Sequence, residues 1–184
     1  MKILVILAPG FEETEAITVI DVLRRAKLEV ITASLTSNQT VLGSHHIPII
    51  ADLSLDDACK NKNTENDFEA LVLPGGMRGV ENLIDDTRIL PLVNTFYNNN
   101  KFIAAVCAAP LILDKAGILD GHNFTCHPCI FDRIRENGRV LVPAISDRTI
   151  VTGRSAGCAL PWAIELTKTL TGNTDAILSG LAIL

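Results

Sequence analysis

Lys101-Phe-Ile-Ala-Ala-Val-Cys107-Ala-Ala-Pro110, running on into Leu111-Ile-Leu-Asp-Lys-Ala116, decides how the rest of the chain is read. Phe102 to Val106 is a short, wholly apolar run, the pattern of a strand covered on both faces. Pro110 suits the first turn of a helix, where a missing N–H is no loss. Leu111, Leu113 and Ala116 then recur at helical spacing, and Gly117 closes the helix. Cys107 falls at the joint. A side chain there stands above the carboxyl edge of a sheet and faces helix-terminal N–H groups, which are expected to lower its thiol pKa and favour thiolate. Strand, nucleophile and helix in this order form a nucleophile elbow, with cysteine in place of serine. The plainer reading is a small buried hydrophobe between alanines.

Outward from this stretch, strand-like and helix-like segments alternate. Ile3 to Leu7 reads as a buried strand, Glu12 to Ala26 as a helix with acids first and Arg24-Arg25 last, and Val30 to Ala33 as the next strand. Thr36 to Ile50 reads as a hairpin or two short edge strands, and Leu53 to Cys59 as a short helix. Lys60 to Asp67 is a polar loop. Ala70 to Leu73 is a third buried strand, ending in Pro74-Gly75-Gly76, where glycines let a ligand approach bare N–H groups. One or two helices are expected over Glu81 to Tyr97, with a break near Asp85-Asp86. A short strand is expected at Phe124-Thr125 and a short helix over Ile130 to Glu136. Strands follow at Val140 to Val142 and Thr149 to Val151, then a helix over Ser155 to Thr171 capped by Gly172, and a last short helix or tail from Asp175. This alternation implies an α/β fold: an open, doubly wound, mostly parallel sheet with helices on both faces. No repeat or linker divides the chain, so residues 1–184 read as a single domain. In such sheets ligands bind outside the carboxyl ends of the strands. Pro9 to Glu15, Gly75-Gly76 and Cys107 all fall on that edge.

Composition narrows the function. The 184 residues are 48% hydrophobic but only 4% aromatic, an aliphatic content suited to a parallel sheet. The net charge of −5 and the lack of a basic run make nucleic acid and anionic membrane poor partners. No apolar segment is long enough to span a bilayer, and Met1 to Leu7 reads as a first strand rather than a leader. Five cysteines, an odd number in a chain with a sufficient core, suggest reduced thiols and a cytoplasmic setting.

Gly10-Phe-Glu12-Glu13-Thr14-Glu15 puts three carboxylates at a helix N-terminus. Glu12 and Glu13 read as dipole complements on a solvated turn. Glu15, one turn further in, could point back over the sheet edge. Beside Cys107 it would be pushed toward its protonated form and could move protons as a general acid/base.

Ala8 to Ala16, Val72-Leu-Pro-Gly-Gly76, Ala104-Ala-Val-Cys-Ala-Ala-Pro110 and Thr125-Cys-His-Pro128 together closely resemble the ThiJ/PfpI superfamily, in its DJ-one-like branch. The resemblance runs in order from Ile3 to Leu184. It implies a flavodoxin-like sandwich, akin to class I glutamine amidotransferases, and a homodimer. It implies that Cys107 is the reactive cysteine on a strained elbow and Glu15 its protonated partner, with the N–H groups of Gly75, Gly76 and Ala108 as an oxyanion site. It further implies a cofactor-independent, glutathione-independent glyoxalase or deglycase, needing no metal and acting on methylglyoxal and its protein adducts. The same low-pKa cysteine would sense oxidative stress, and chaperone activity is also described for the family. In this scheme the Cys107 thiolate adds to the aldehyde, Glu15 shuttles protons through an enediol with help from His127, and water releases lactate from a thioester. His127 occupies the family's His-Pro position, where the ring is poorly aligned for a protease-like triad, so it reads either as catalytic or as a structural histidine beside the pocket.

The chain departs from the branch at two places. Ser44-His45-His46 stands where an arginine is common, and Ser155-Ala156-Gly157-Cys158 replaces a Gly-Pro-Gly-Thr segment, bringing Cys158 toward the site. Two other readings remain open. One is a redox-regulated chaperone without turnover. The other is a thiol–disulfide oxidoreductase built on the CxxC pair Cys126/Cys129, or Cys126 resolving an oxidised Cys107. A zinc site on that pair lacks a second matching pair.

Overall fold

The computed structural model describes residues 1–60 and 67–183. Its centre is a seven-stranded sheet in the order β5-β2-β1-β6-β7-β9-β8. The strands are β1 (Lys2–Leu7), β2 (Glu29–Ser34), β5 (Leu53–Ser54), β6 (Ala70–Leu73), β7 (Phe102–Val106), β8 (Ala144–Asp147) and β9 (Ile150–Gly153). Every pairing is parallel except β8 with β9. A separate antiparallel hairpin, β3 (Thr40–Leu42) and β4 (Pro48–Ile50), leaves the main sheet.

The buried strands explain the near-continuous apolar runs, because successive side chains serve opposite layers. Ile3, Val5, Leu7, Ala70, Val72, Ala104 and Val106 pack with α1 (Glu13–Arg25), α6 (Ala159–Thr171) and α7 (Asp175–Gly180). Leu4, Ile6, Leu71, Leu73, Ile103 and Ala105 pack on the other side with α2 (Leu55–Ala58), α3 (Met77–Asp85), α4 (Ile89–Asn98) and α5 (Pro110–Lys115). The expected doubly wound α/β architecture is therefore present. From β1 the chain winds outward to β2 and then returns to β6 on the other side of β1, so the direction of winding reverses between β1 and β6. That reversal opens a crevice at their carboxyl ends, beside the end of β7.

Several segments differ from the sequence reading. The segment expected to be a helix over Ile130 to Glu136 is a 3-10 turn, Pro128–Ile130, followed by irregular turns. Here side chains fix the chain instead of helical hydrogen bonds: Arg135 is bound to Asp114 and Asp120. Phe124 makes an isolated bridge to Arg139 rather than a strand. The strand expected at Val140 to Val142 lies beyond Pro143 instead, as β8, and turns at Arg148 (φ 55°) into an antiparallel pairing with β9. Leu53-Ser54 is a short edge strand before α2, and α3 begins at Met77, earlier than expected. The Ser155 to Thr171 segment opens with a 3-10 turn over Ala156–Cys158 before α6 begins. Within the polar loop expected from Lys60 to Asp67, residues 61–66 lie outside the described residues.

Glu13 corrects another expectation. It is only 6% exposed, not part of a solvated turn. Its carboxylate accepts hydrogen bonds from Ser44 Oγ (3.0 Å), His45 N (2.6 Å), His45 Nδ1 (2.9 Å) and Ile47 N (3.4 Å). Burial alone would raise its pKa. The donors of His45 and Ser44 outweigh burial and hold it down at about 2. Ser44 and His45 thus fasten the hairpin loop to α1. Replacing Glu13 by Ala is expected to cost about 1–3 kcal/mol in urea unfolding at neutral pH, because the loop's N–H groups and the Ser44 hydroxyl lose their shared acceptor. Since the folded-state pKa is depressed, this stabilisation is present above pH 4.5 and is lost as pH falls toward 2. The variant should show a flatter stability profile over that window.

Candidate active site

Cys107 follows the last residue of β7 and adopts φ 63°, a left-handed conformation that costs a non-glycine residue about 1–3 kcal/mol. Two backbone bonds hold it there. Its N–H donates to Gly153 O (2.9 Å), and its carbonyl accepts from His127 N (2.9 Å). Neighbouring segments thus impose the elbow that the sequence implied.

Glu15 comes to the same point from α1. It is fully buried. Its helix begins at an N-cap made by Glu12, whose carboxylate accepts the Glu15 N–H at 2.7 Å. The loop before it is tied to the end of β6: Glu12 N donates to Gly75 O (2.9 Å), and Asn82 Nδ2 of α3 donates to Pro9 O (2.8 Å). Glu15 Oε2 accepts from Gly75 N (2.8 Å), while Oε1 is buried without a partner of hydrogen-bonding geometry. A Cβ on residue 75 would stand 2.6 Å from Glu15 Oε2 and 2.7 Å from Cys107 Cβ. The glycine therefore lets carboxyl and thiol meet. Gly75→Ala is expected to lower stability by about 1–3 kcal/mol and to pry the pair apart, readable as a fall in thermal midpoint with loss of Cys107 reactivity.

The electrostatics differ from expectation. Burial, and secondarily the charge of Glu12, raise Glu15 to about pH 7 against the pull of the Gly75 N–H. Cys107 is also pushed up, first by burial and then by the Glu15 charge. The Gly76 N–H pulls the thiol the other way but is outweighed. The thiol pKa is thus raised rather than lowered, because the helix-end donors act on a sulfur that is largely desolvated and faces a carboxyl group. The Glu15 charge raises the thiol and the thiol hydrogen bond lowers the carboxyl, so the two titrations are coupled.

The three candidate oxyanion donors separate. Gly75 N–H is committed to Glu15, which removes it from the oxyanion site. Gly76, at φ 88° on the N-terminus of α3, aims its N–H at Cys107. Ala108 N–H, just after the elbow, has no acceptor among the described residues. That leaves the N–H groups of Gly76 and Ala108 open at the elbow.

His127 is half-buried and starts the 3-10 turn. Its Nδ1 accepts from Cys129 N at 3.1 Å, so the neutral ring carries its proton on Nε2. Among the described residues the ring makes no hydrogen bond to Cys107 or Glu15. The hydrogen bond from His127 to the elbow comes from its backbone, and among the described residues no Cys–His hydrogen bond forms. Cys126 is 1% exposed, packed in the core, and raised by burial to about 11. Cys129 is exposed. The two CxxC thiols therefore face opposite environments, and all five cysteines are free. Cys158 follows the neighbouring strand end, its sulfur accepting from Ser155 Oγ at 3.6 Å. Glu12, Glu13 and His45 form the one grouping of metal-ligand type among the described residues, their atoms within 4.8 Å of one another. The Glu13 oxygens there are already occupied by the hairpin loop.

Sequence reasoning missed Glu13 and the commitment of Gly75. No local signal marks either one, since the partners lie about 30 and 60 residues away.

Comparison with known proteins identifies the family. The model of the DJ-1/PfpI family matches residues 1–169. Protein dj-1beta of Drosophila melanogaster is 33% identical over 171 residues, covering 92% of this chain and 89% of that protein. The crystal structure of Drosophila DJ-1beta superposes with a TM-score of 0.90 at 32% identity, over 98% of this chain and 97% of the other. Protein DJ-1 homolog B of Arabidopsis thaliana is 30% identical over 177 residues, but the match spans only 39% of its length against 96% of this chain. The family model, the sequence identity and the superposition point the same way: the chain belongs to the DJ-1/PfpI family.

Proposed function

We propose that the protein is a cofactor-independent glyoxalase or deglycase, acting on reactive aldehydes such as methylglyoxal and on their protein adducts. The observation that carries this reading is that the buried Glu15 carboxyl faces the Cys107 thiol; on this reading the two share one proton. Glu15 as carboxylate takes the thiol proton as Cys107 sulfur attacks the aldehyde carbon, and returns it to the new alkoxide to give a hemithioacetal. The carboxylate then removes the hydrogen on that carbon. The resulting enediolate is held by the N–H groups of Gly76 and Ala108 and is reprotonated at the adjacent carbon by Glu15. A lactoyl thioester results. Water cleaves it to lactate and restores the thiol. His127 Nε2 is free to assist that last proton transfer.

The same thiol is the group a peroxide would oxidise, so a stress-sensing role shares the site. On this reading residues 1–184 act as one unit in the reducing cytoplasm, where free thiols persist. Among the described residues no helix is long and apolar enough to cross a membrane. Exposed Ile17 on α1 and Leu42 and Ile50 on the hairpin support a homodimer.

Three assays separate this reading from its rivals. Purified protein is supplied with methylglyoxal without glutathione, with insulin and a dithiol, and with an aggregating client. Lactate production supports the proposal. Insulin reduction lost in Cys126→Ser, or aggregation suppression with no lactate, would overturn it.

A further inference from the structure

Cys129 has no part in the chemistry above, yet hydrogen bonds tie its segment to the elbow that carries Cys107. The segment containing it is pinned on both sides of the thiol. At one end His127 N–H donates to the Cys107 carbonyl. At the other, Arg133 Nη1 donates to Met77 Sδ (3.3 Å) and Glu81 Oε1 (3.2 Å), the first turns of the helix whose capping Gly76 N–H faces Cys107. Cys129 lies between these tethers, with its N–H on His127 Nδ1 and its side chain exposed. Burial and Glu15 do most to raise Cys107, and charge on Cys129 adds a smaller push in the same direction. The other half of the CxxC pair is ill placed to compete, because Cys126 is enclosed in the core.

We propose that Cys129 is the resolving thiol for Cys107, converting its first oxidation product into an intramolecular disulfide. A hydroperoxide is the oxidant. The Cys107 sulfur attacks the peroxide, takes one oxygen as sulfenic acid and releases water or an alcohol. The Cys129 sulfur then attacks the sulfenic sulfur, the S–S bond forms, and the sulfenic oxygen leaves as water with the Cys129 proton. Two electrons pass from the thiols to the peroxide. An external thiol reverses the step by attacking the exposed Cys129 sulfur, expelling Cys107 with its electron pair, and a second external thiol then frees Cys129. Resolution diverts Cys107 from irreversible sulfinic acid and makes the site a reversible peroxide switch. The inference rests on the reading of Cys107 as the reactive thiol, and not on the identity of the aldehyde.

The test treats the full-length protein with one, then several, equivalents of hydrogen peroxide and maps peptides by mass spectrometry without reduction. Wild type is expected to give a Cys107–Cys129 linked peptide, lost on adding dithiothreitol. Cys129→Ser is expected to give none, and instead to accumulate sulfinic acid on Cys107 at least several-fold faster. A Cys126–Cys129 link, a link between two copies on a non-reducing gel, or equal sulfinic acid in wild type and Cys129→Ser would overturn the proposal. Methylglyoxal turnover, run in parallel, should be the same for reduced Cys129→Ser as for wild type. If neither makes lactate while the disulfide forms, the glyoxalase reading fails and the resolving role stands.

Discussion

Cys107→Ser is expected to reduce lactate formation from methylglyoxal by about 10³-fold or more, while leaving the thermal midpoint nearly unchanged. A serine hydroxyl is too weakly acidic for Glu15 to deprotonate at neutral pH, so the covalent adduct does not form. The fold has little reason to respond. The backbone at residue 107 is held at φ 63° by Gly153 O and His127 N–H, and neither bond uses the side chain. Serine fills nearly the same volume. A variant that keeps more than a tenth of wild-type turnover would show that Cys107 is not the nucleophile.

Glu15→Gln is expected to lower turnover by about 10²–10⁴-fold, the range for removing a general acid–base. It should also reshape stability. The folded-state pKa of Glu15 is raised from 4.5 to about 7, so the folded protein holds this proton more firmly than the unfolded chain. The contribution is therefore complete below pH 4.5 and is lost as pH rises to about 7, on the order of 3 kcal/mol for a fully buried carboxyl. Glutamine cannot titrate, so denaturant unfolding of the variant should lack this decline. Glu13, depressed to about 2, acts over the acid window below pH 4.5, so the two glutamates separate on a single stability–pH curve.

How much of this was legible in the sequence follows from how local each signal is. The elbow at Cys107 was legible because an apolar strand, a joint and Pro110 are contiguous. The place of Glu15 followed from counting one turn into a helix whose N-terminus must lie on the carboxyl edge. The alternation of strands and helices fixed the layers for the same reason. What the sequence hid is tertiary. Gly75 read as an oxyanion donor because its N–H is bare in any local picture, and only the packing of α1 shows Glu15 taking it. Glu13 looked like a solvated acid until the loop from Ser44 to Ile47 folded over it. The thiol pKa was misjudged because helix-end donors can be inferred from spacing, whereas burial and the facing carboxyl group cannot. The region from Ile130 to Glu136 resembled a helix in composition, but Arg135 draws it onto Asp114 and Asp120.

The central claim is that Glu15 and Cys107 share one proton, with Glu15 serving as the base rather than as a support for preformed thiolate. The measurement that tests it most directly is the pH dependence of Cys107 alkylation by iodoacetamide, in wild type and in Glu15→Gln. Removing the Glu15 charge removes the second-largest force raising the thiol, so the midpoint should move to lower pH in the variant even as turnover falls. A midpoint that moves to higher pH would contradict the account, because it would mean that Glu15 stabilises the thiolate.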